Sequence, residues 1–521
     1  MSLFTSRQKI KVAQSVHNLS HDCEGDFKPG FIYPILCTKI IPGDIFQIAS
    51  NPNLRTQPLV SPFFTNVRVD IRYFYCRNLL LWKNFDEYIT NHDRYEVQLA
   101  VSHTHPYLDF VGARSSLQDY ISGAIDPDTT YKDLDALPYR MYNMIYNEYY
   151  KDENLGKPAN VVLTDGQDTD TDYQLLSSCY RKDYFTSALP FAQAGDPVAL
   201  PASVLLNNPN GRLQTWVDHN GDPLLSRGYE DARFHSALDT DPVYLGAPID
   251  SVWHYGNLDP NGTLGVDIDI REFRNANAIQ RFLERSAVGG NRYAEYMLAH
   301  FGIKTPDNSS FRPQYLGGGE TFVNVNPVEQ NAPSNSAPTG TLAGKGRVSG
   351  VVGMNHKYFF SEYGWLMALM VIRPDAVYAG GINKQFTING DRFDQYYNPA
   401  FQNIGMDEIK VKEIAYPKTV SSNPAYDPDG VFAYQERGFE YKTLPNRVHG
   451  QLANGSMKHW ACTRYFGGLT TAPQFNADFV AVKDDCLDDQ AAVSGYPLFF
   501  GTIGHNIIAR RPMQYRAKYR I

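Results

Sequence analysis

The chain has 521 residues and carries 48 Lys and Arg against 56 Asp and Glu, a formal net charge of −8. That balance excludes a polycation that coats nucleic acid by bulk charge, so any such contact has to come from a local patch. Tyr (35), Phe (29), Gly (40) and Pro (32) are abundant while charged residues make up only 20%, which suits many short strands joined by long ordered loops and argues against a helical bundle.

Residues 1–29 are polar, with Arg7, Lys9 and Lys11 near the start, and read as an arm rather than a packed element. From Phe31 to Ile41 apolar and β-branched residues dominate. Pro42-Gly43-Asp44 closes this strand with a turn, and a second short strand follows. From Val67 the residues alternate, Val67, Val69, Ile71, Tyr73 and Tyr75 on one side and Arg68, Asp70, Arg72, Phe74 and Cys76 on the other, the period of a strand with two different faces. After Asn78 the spacing of Leu79, Trp82, Phe85 and Ile89 predicts a short amphipathic helix. Pro138 in a first turn, with Leu137, Met141, Ile145 and Tyr149 behind it, predicts one helix running up to Gly156.

Residues 191–266 turn to Gly, Pro, Asn and Asp, with a possible strand at Pro242–Leu245 and an aromatic cluster at Trp253, His254 and Tyr255. So long a stretch is a functional loop or a separate excursion. Asp269 and Glu272 form a capping-box pair that opens a helix, Gly289-Gly290 breaks it, and a second helix is expected over Arg292–Phe301. Residues 324–345, rich in Asn, Pro, Ser and Gly, read as an exposed loop. Behind them Val348–Val352 and Tyr358–Ile372 read as buried strands, the latter apolar on both faces and so sealed on each side. Tyr496–Ile508 is the last expected strand.

No constellation here demands catalysis. His103-Thr104-His105 has a spacing that chelates metal from one strand face, but no further ligand lies nearby, so a surface loop is the better reading. Asp168-Thr169-Asp170-Thr171-Asp172 begins like a calcium loop, yet Tyr173 stands where the turn glycine belongs and Cys179 where the bidentate Glu belongs. Gly344, Gly346 and Gly350 fit no dinucleotide fingerprint. The acidic pairs Asp86-Glu87, Asp484-Asp485 and Asp488-Asp489 read as solvated surface. The six cysteines are scattered without CxxC spacing, as in a reducing compartment. No apolar run approaches the roughly 18 residues of a membrane span, so the expectation is a cytosolic product with no cofactor and no metal. The basic carboxyl tail at residues 509–521 stands apart. Arg510, Arg511, Arg516, Lys518 and Arg520, interleaved with Tyr515 and Tyr519, could hold phosphates and stack bases or could equally pair with acidic neighbours at a subunit contact.

The wording of several segments carries a resemblance. Asn18-Leu19-Ser20, Ile40-Ile41-Pro42-Gly43-Asp44-Ile45-Phe46, Pro58-Leu59-Val60-Ser61-Pro62 and Phe74-Tyr75-Cys76-Arg77-Asn78-Leu79-Leu80-Leu81-Trp82 open the series. Arg181-Lys182-Asp183-Tyr184-Phe185, Gly289-Gly290-Asn291-Arg292-Tyr293, Arg312-Pro313-Gln314-Tyr315-Leu316-Gly317-Gly318-Gly319 and Pro445-Asn446-Arg447-Val448-His449-Gly450 continue it in order, up to Trp460. Together they resemble the major capsid proteins of microviruses, the small single-stranded DNA phages, and within them the gokushovirus-like subgroup. The resemblance implies a single eight-stranded antiparallel jelly roll over residues 30–521 with large insertions, of which 191–266 protrudes from the particle. It implies self-assembly into a T=1 icosahedral shell around circular single-stranded DNA, in the cytoplasm of a bacterial host. The implied partners are a small basic DNA-binding protein, a DNA pilot protein, a scaffolding protein and a host-cell receptor, with no membrane insertion. Two readings of other classes stand beside it: a jelly-roll carbohydrate-binding protein or carbohydrate-active enzyme, suggested by the many aromatics, and a scaffold forming empty cages.

Overall fold

The computed structural model describes residues 12–90, 103–195, 203–205, 265–267, 270–290, 292–303, 311–329, 331, 340–354, 356–388, 390, 392–401, 405–416, 427–467, 472–482, 487, 490–493 and 495–516. Two compact units are present, residues 1–194 with 284–521, and residues 195–283. Nine principal strands build the first: β1 (Ser15–Asn18), β2 (His21–Phe27), β3 (Ile32–Ile40), β4 (Ile45–Thr56), β5 (Val67–Arg77), β6 (Gln314–Glu329), β7 (Leu342–Ser349), β8 (Gly364–Pro374) and β9 (Phe499–Arg511). They follow an antiparallel path of eight strands, β1-β9-β4-β7-β6-β5-β8-β3. β2 joins β9, and the short pieces Val352–Gly353 and Tyr358–Phe359 join β4.

This is a mainly β, jelly-roll architecture, and β6 is what folds one sheet into two layers. Its first half, up to Phe322, pairs with β5, while Val323–Glu329 pairs with β7. The register slips between Tyr315 and Gly317, Gly317 takes a φ of +121°, and a Cβ on Gly318 would sit 2.2 Å from the Ile71 carbonyl oxygen. A glycine run is therefore required at the bulge where the strand presses against β5. The last strand of the path, β3, touches the second, β9, through His505, whose Nε2 lies 2.9 Å from the Ile35 carbonyl.

All eleven residues of β8 are buried, because its two faces feed two cores. Leu366, Ala368, Met370 and Ile372 point between the layers with Ile71, Tyr73, Phe46, Ile48 and Ile503. Trp365, Met367, Leu369 and Val371 point the other way, into a cluster with Trp82, Leu108 and helix α1 (Leu137–Ile145). At roughly 1.5–3 kcal/mol per buried large apolar side chain, this strand is a main anchor of the fold. A third cluster gathers Tyr180, Tyr184, Phe185, Tyr378, Ile414, Phe432 and Phe479, where Arg464 lies 4.3 Å from the Phe479 ring and 4.6 Å from that of Tyr180.

In the second unit Ser203–Leu205 pairs antiparallel with Gly265–Asp267, and helix α2 (Ile270–Gly289) leaves it. Gly290, at φ +94°, ends that helix, and α3 (Tyr293–Phe301) follows. The segments Pro242–Leu245 and Trp253–Tyr255 and the cap residue Asp269 lie outside the described residues.

Several expectations are corrected. Residues 1–29 are not an arm throughout, since β1 and β2 pair with β9 and Phe27 is in the core; these polar edge strands carry little apolar alternation of their own. The loop expected at 324–345 is largely strand at its two ends. Val323-Asn324-Val325-Asn326 alternates inward and outward in β6, and Leu342–Lys345 opens β7. The second strand, expected to be short, runs twelve residues through Asn51-Pro52-Asn53. The helix after Asn78 is two separate turns, Asn78–Leu81 and Phe85–Thr90. The helix from Leu137 changes at Tyr146 into a π-helical turn that ends at Tyr150, setting Tyr149 4.9 Å from the Phe74 ring. Residues 509–511 of the basic tail complete β9.

Candidate nucleic-acid and subunit-contact surfaces

Strand alternation separates the basic residues of the carboxyl tail. Ala509 points into the core, Arg510 is exposed, and Arg511 turns toward the end of the barrel. There its Nη2 donates to the Lys39 carbonyl at 2.8 Å, its Nε lies 3.4 Å from Asp44 Oδ2, and its guanidinium sits 5.0 Å from the Phe46 ring. Asp44 is fully buried. Burial pushes its carboxyl up, against the opposing pull of the Ile41 N–H and of Arg511. Arg511 is thereby a structural clamp on the β3–β4 turn. Arg516 is exposed, and Tyr515 stacks on His17 with ring centroids 6.0 Å apart. Lys518 and Arg520 lie outside the described residues.

A second surface was not anticipated from the sequence. Phe386 is 81% exposed, Ile388 88%, Tyr396 72% and Leu444 68%. The Gln385 side chain donates to the Glu440 carbonyl, Gln395 donates to the Thr387 carbonyl, and the Tyr397 and Tyr441 rings are 6.1 Å apart, so these residues share one surface. Apolar side chains this open mark a contact with another macromolecule. Their signal in the sequence is isolated large apolar residues inside Gly-, Asn- and Asp-rich text, which local pattern does not separate from core.

The chemical candidates are absorbed by the fold. His103 is held between Asp165 Oδ2 (2.5 Å from Nδ1) and Glu87 Oε2 (3.0 Å from Nε2), and the bond to Asp165 above all raises its pKa. Asp168 takes Arg140 Nε at 2.8 Å and the Thr171 hydroxyl at 2.7 Å, with both members of the ion pair fully buried. Among the described residues no group of three or more His, Cys, Asp or Glu is placed to hold a metal ion. Burial pushes the Cys37 thiol up to about 12 and raises those of Cys23, Cys76 and Cys179, leaving them poor nucleophiles. An open cavity of about 560 Å³ runs beside Arg72, Asp152, Lys182 and Arg292. Its charges pair with one another, Lys182 with Asp152 at 2.5 Å and Arg292 with Glu295 at 3.1 Å.

The family model described as Capsid protein (F protein) matches residues 6–518. The chain belongs to that family. Three relatives, each described as Capsid protein VP1, extend over nearly the whole length. That of Chlamydia phage 1 is 29% identical, covering 98% of this chain and 96% of the relative. That of Bdellovibrio phage phiMH2K is 29% identical, with 92% and 89% covered. That of Spiroplasma virus 4 is 25% identical, with 96% and 94% covered. The resemblance to gokushovirus-like capsid proteins drawn from the motifs is thereby established. As a member of the capsid family the chain is a structural component of a virion, and its exposed apolar surfaces are those a self-assembling subunit requires. Among the described residues no helix is long and apolar enough to cross a membrane.

Proposed function

We propose that this chain is a major capsid protein that assembles into a T=1 icosahedral shell around a circular single-stranded DNA genome, in the cytoplasm of a bacterial host and without catalytic turnover. The match to the capsid family over residues 6–518 carries the reading. The Phe386–Ile388–Tyr396–Leu444 surface supports it as a contact between copies. Residues 191–266 face outward and meet the host receptor. Arg510 and Arg516, with Lys518 and Arg520, offset part of the genome charge. A small basic DNA-binding protein, a pilot protein and a scaffolding protein complete the particle. Electron microscopy of the purified protein combined with nuclease protection tests the reading. Closed shells of uniform diameter that shield single-stranded DNA are expected. A monodisperse single subunit at high concentration rejects it, and saccharide affinity without assembly returns the carbohydrate-binding alternative.

A further inference from the structure

The two layers of the barrel differ in what covers them. The outward face of β5 and β8 is sealed by α1 and the residues around Trp82 and Leu108. On β9, β4, β7 and the second half of β6 the outward residues stay open to solvent: Phe500, Asn506 and Ile508; Gln47, Asn51, Asn53 and Arg55; Lys345, Arg347 and Ser349; Asn324 and Asn326. Register lines four of them up across the strands. Phe500 is opposite Arg55, Arg55 is opposite Arg347, and Arg347 is opposite Asn324. Lys345 lies two residues further along β7, opposite Asn326.

Two arginines directly opposite on neighbouring antiparallel strands repel each other, and an isolated sheet selects against the pair. Neither guanidinium, nor the Lys345 ammonium, has a side-chain hydrogen bond or ion pair to another described residue. The nearest acids on this face, Asp22, Glu24 and Asp26, are on β2 across β9, about 10 Å from β4 at the ordinary strand spacing. Asp26 is further engaged by the Ser115 hydroxyl at 2.9 Å. They border the basic row without neutralising it.

We propose that Arg55, Arg347 and Lys345 form a track for the phosphates of single-stranded nucleic acid, running over the open face of β4, β7 and β6. This rests on the capsid reading and adds to it a binding surface remote in sequence from the carboxyl tail. A nucleic acid suits the row better than an acidic peptide for two reasons. Phe500, 45% exposed, offers a ring on which a base stacks, while Phe322 beside the row already carries the Arg68 guanidinium 5.0 Å from its ring centre. Asn51, Asn53, Asn324 and Asn326 offer amides that accept from and donate to any base edge, so binding is indifferent to sequence. Arg510 lies on the same outward face at the other end of β9, which extends the track toward the tail.

The test is fluorescence anisotropy of a labelled oligothymidylate with the full-length subunit, at several salt concentrations, beside nuclease protection in assembled particles. The double variant Arg55→Gln with Arg347→Gln is expected to bind at least tenfold more weakly. The slope of log K against log salt is expected to become shallower by about 1.4, from two contacts at about 0.7 each on single strands. Because repulsion is relieved, the variant melts no lower than the parent, which separates lost binding from lost folding. Phe500→Ala is expected to weaken binding with the slope unchanged. Equal affinity and equal slope in the double variant overturn the proposal. So does a variant that binds oligothymidylate normally but no longer assembles, because the row would then be a contact between copies. If the parent protein makes no shells but binds the oligonucleotide through these residues, the capsid reading fails and the track stands.

Discussion

His505 and His103 respond to pH in opposite senses. His505 is buried, its Nδ1 2.9 Å from the Ser50 hydroxyl and its Nε2 2.9 Å from the Ile35 carbonyl. The carbonyl can only accept, so Nε2 carries the proton and Nδ1 accepts from Ser50. Burial first, then the neighbouring His21, brings its pKa down from 6.5 to about 4. The unfolded chain therefore takes up this proton before the native one, and stability drains away as pH falls from about 6.5 toward 4. For His103 the folded pKa is raised by Asp165 and Glu87, so its contribution is whole below about 6.5 and is lost as pH rises through the elevated value. His103→Gln is expected to melt several degrees below the parent at about pH 6, with the two curves converging at alkaline pH; a constant difference across pH rejects the ion-pair account. In the core, Leu369 is fully buried beside α1. Leu369→Ala is expected to cost about 3 kcal/mol, within the range for a cavity that neighbours cannot fill, seen as a lower midpoint of urea unfolding.

Between elements, the decisive contacts join segments far apart in the chain. β1 and β2 are held by β9, so Ser15 faces Arg511 and Phe27 faces Phe499. The Arg511 clamp on Asp44 and Phe46 closes the same end of the barrel. The apolar surface around Phe386 belongs to this scale as well, because it is built from three loops tied by Gln385 and Gln395. Replacing Phe386 and Ile388 by Ser removes two side chains worth about 1.5–3 kcal/mol each when buried. The prediction is an unchanged circular dichroism spectrum and melting point for the isolated subunit, with the concentration needed for assembly raised more than a hundredfold. Assembly at the parental concentration would show that this surface is not a subunit contact.

For the whole molecule, the jelly roll and the 195–283 unit are compact separately. On the proposed reading they divide the labour, shell and host contact. A chain lacking residues 191–266 is expected to form particles that attach poorly to cells, counted by sedimentation and by adsorption; loss of all assembly contradicts that division. Much of the shell-forming body was legible beforehand. The alternation from Val67 and the apolar run expected over Tyr358–Ile372 are local patterns; the first became a central strand, and the second split into Tyr358–Phe359, paired with β4, and the fully buried central strand Gly364–Pro374.

What the sequence by itself determined was the β-rich class, the sealed central strands, the break at Gly289-Gly290 and the family, because period, turn chemistry and motif wording are properties of neighbouring residues. Only the tertiary structure decided that polar residues near the amino terminus become edge strands. It also decided that Arg510 points to solvent while Arg511 is a clamp, and that Arg55 comes to lie opposite Arg347. Each of these follows from which distant strand supplies the hydrogen-bonding partner and in what register. Alternation within a segment sets which residues face inward, but a slip of two residues keeps those faces and changes every cross-strand partner, and nothing within a single segment specifies that choice.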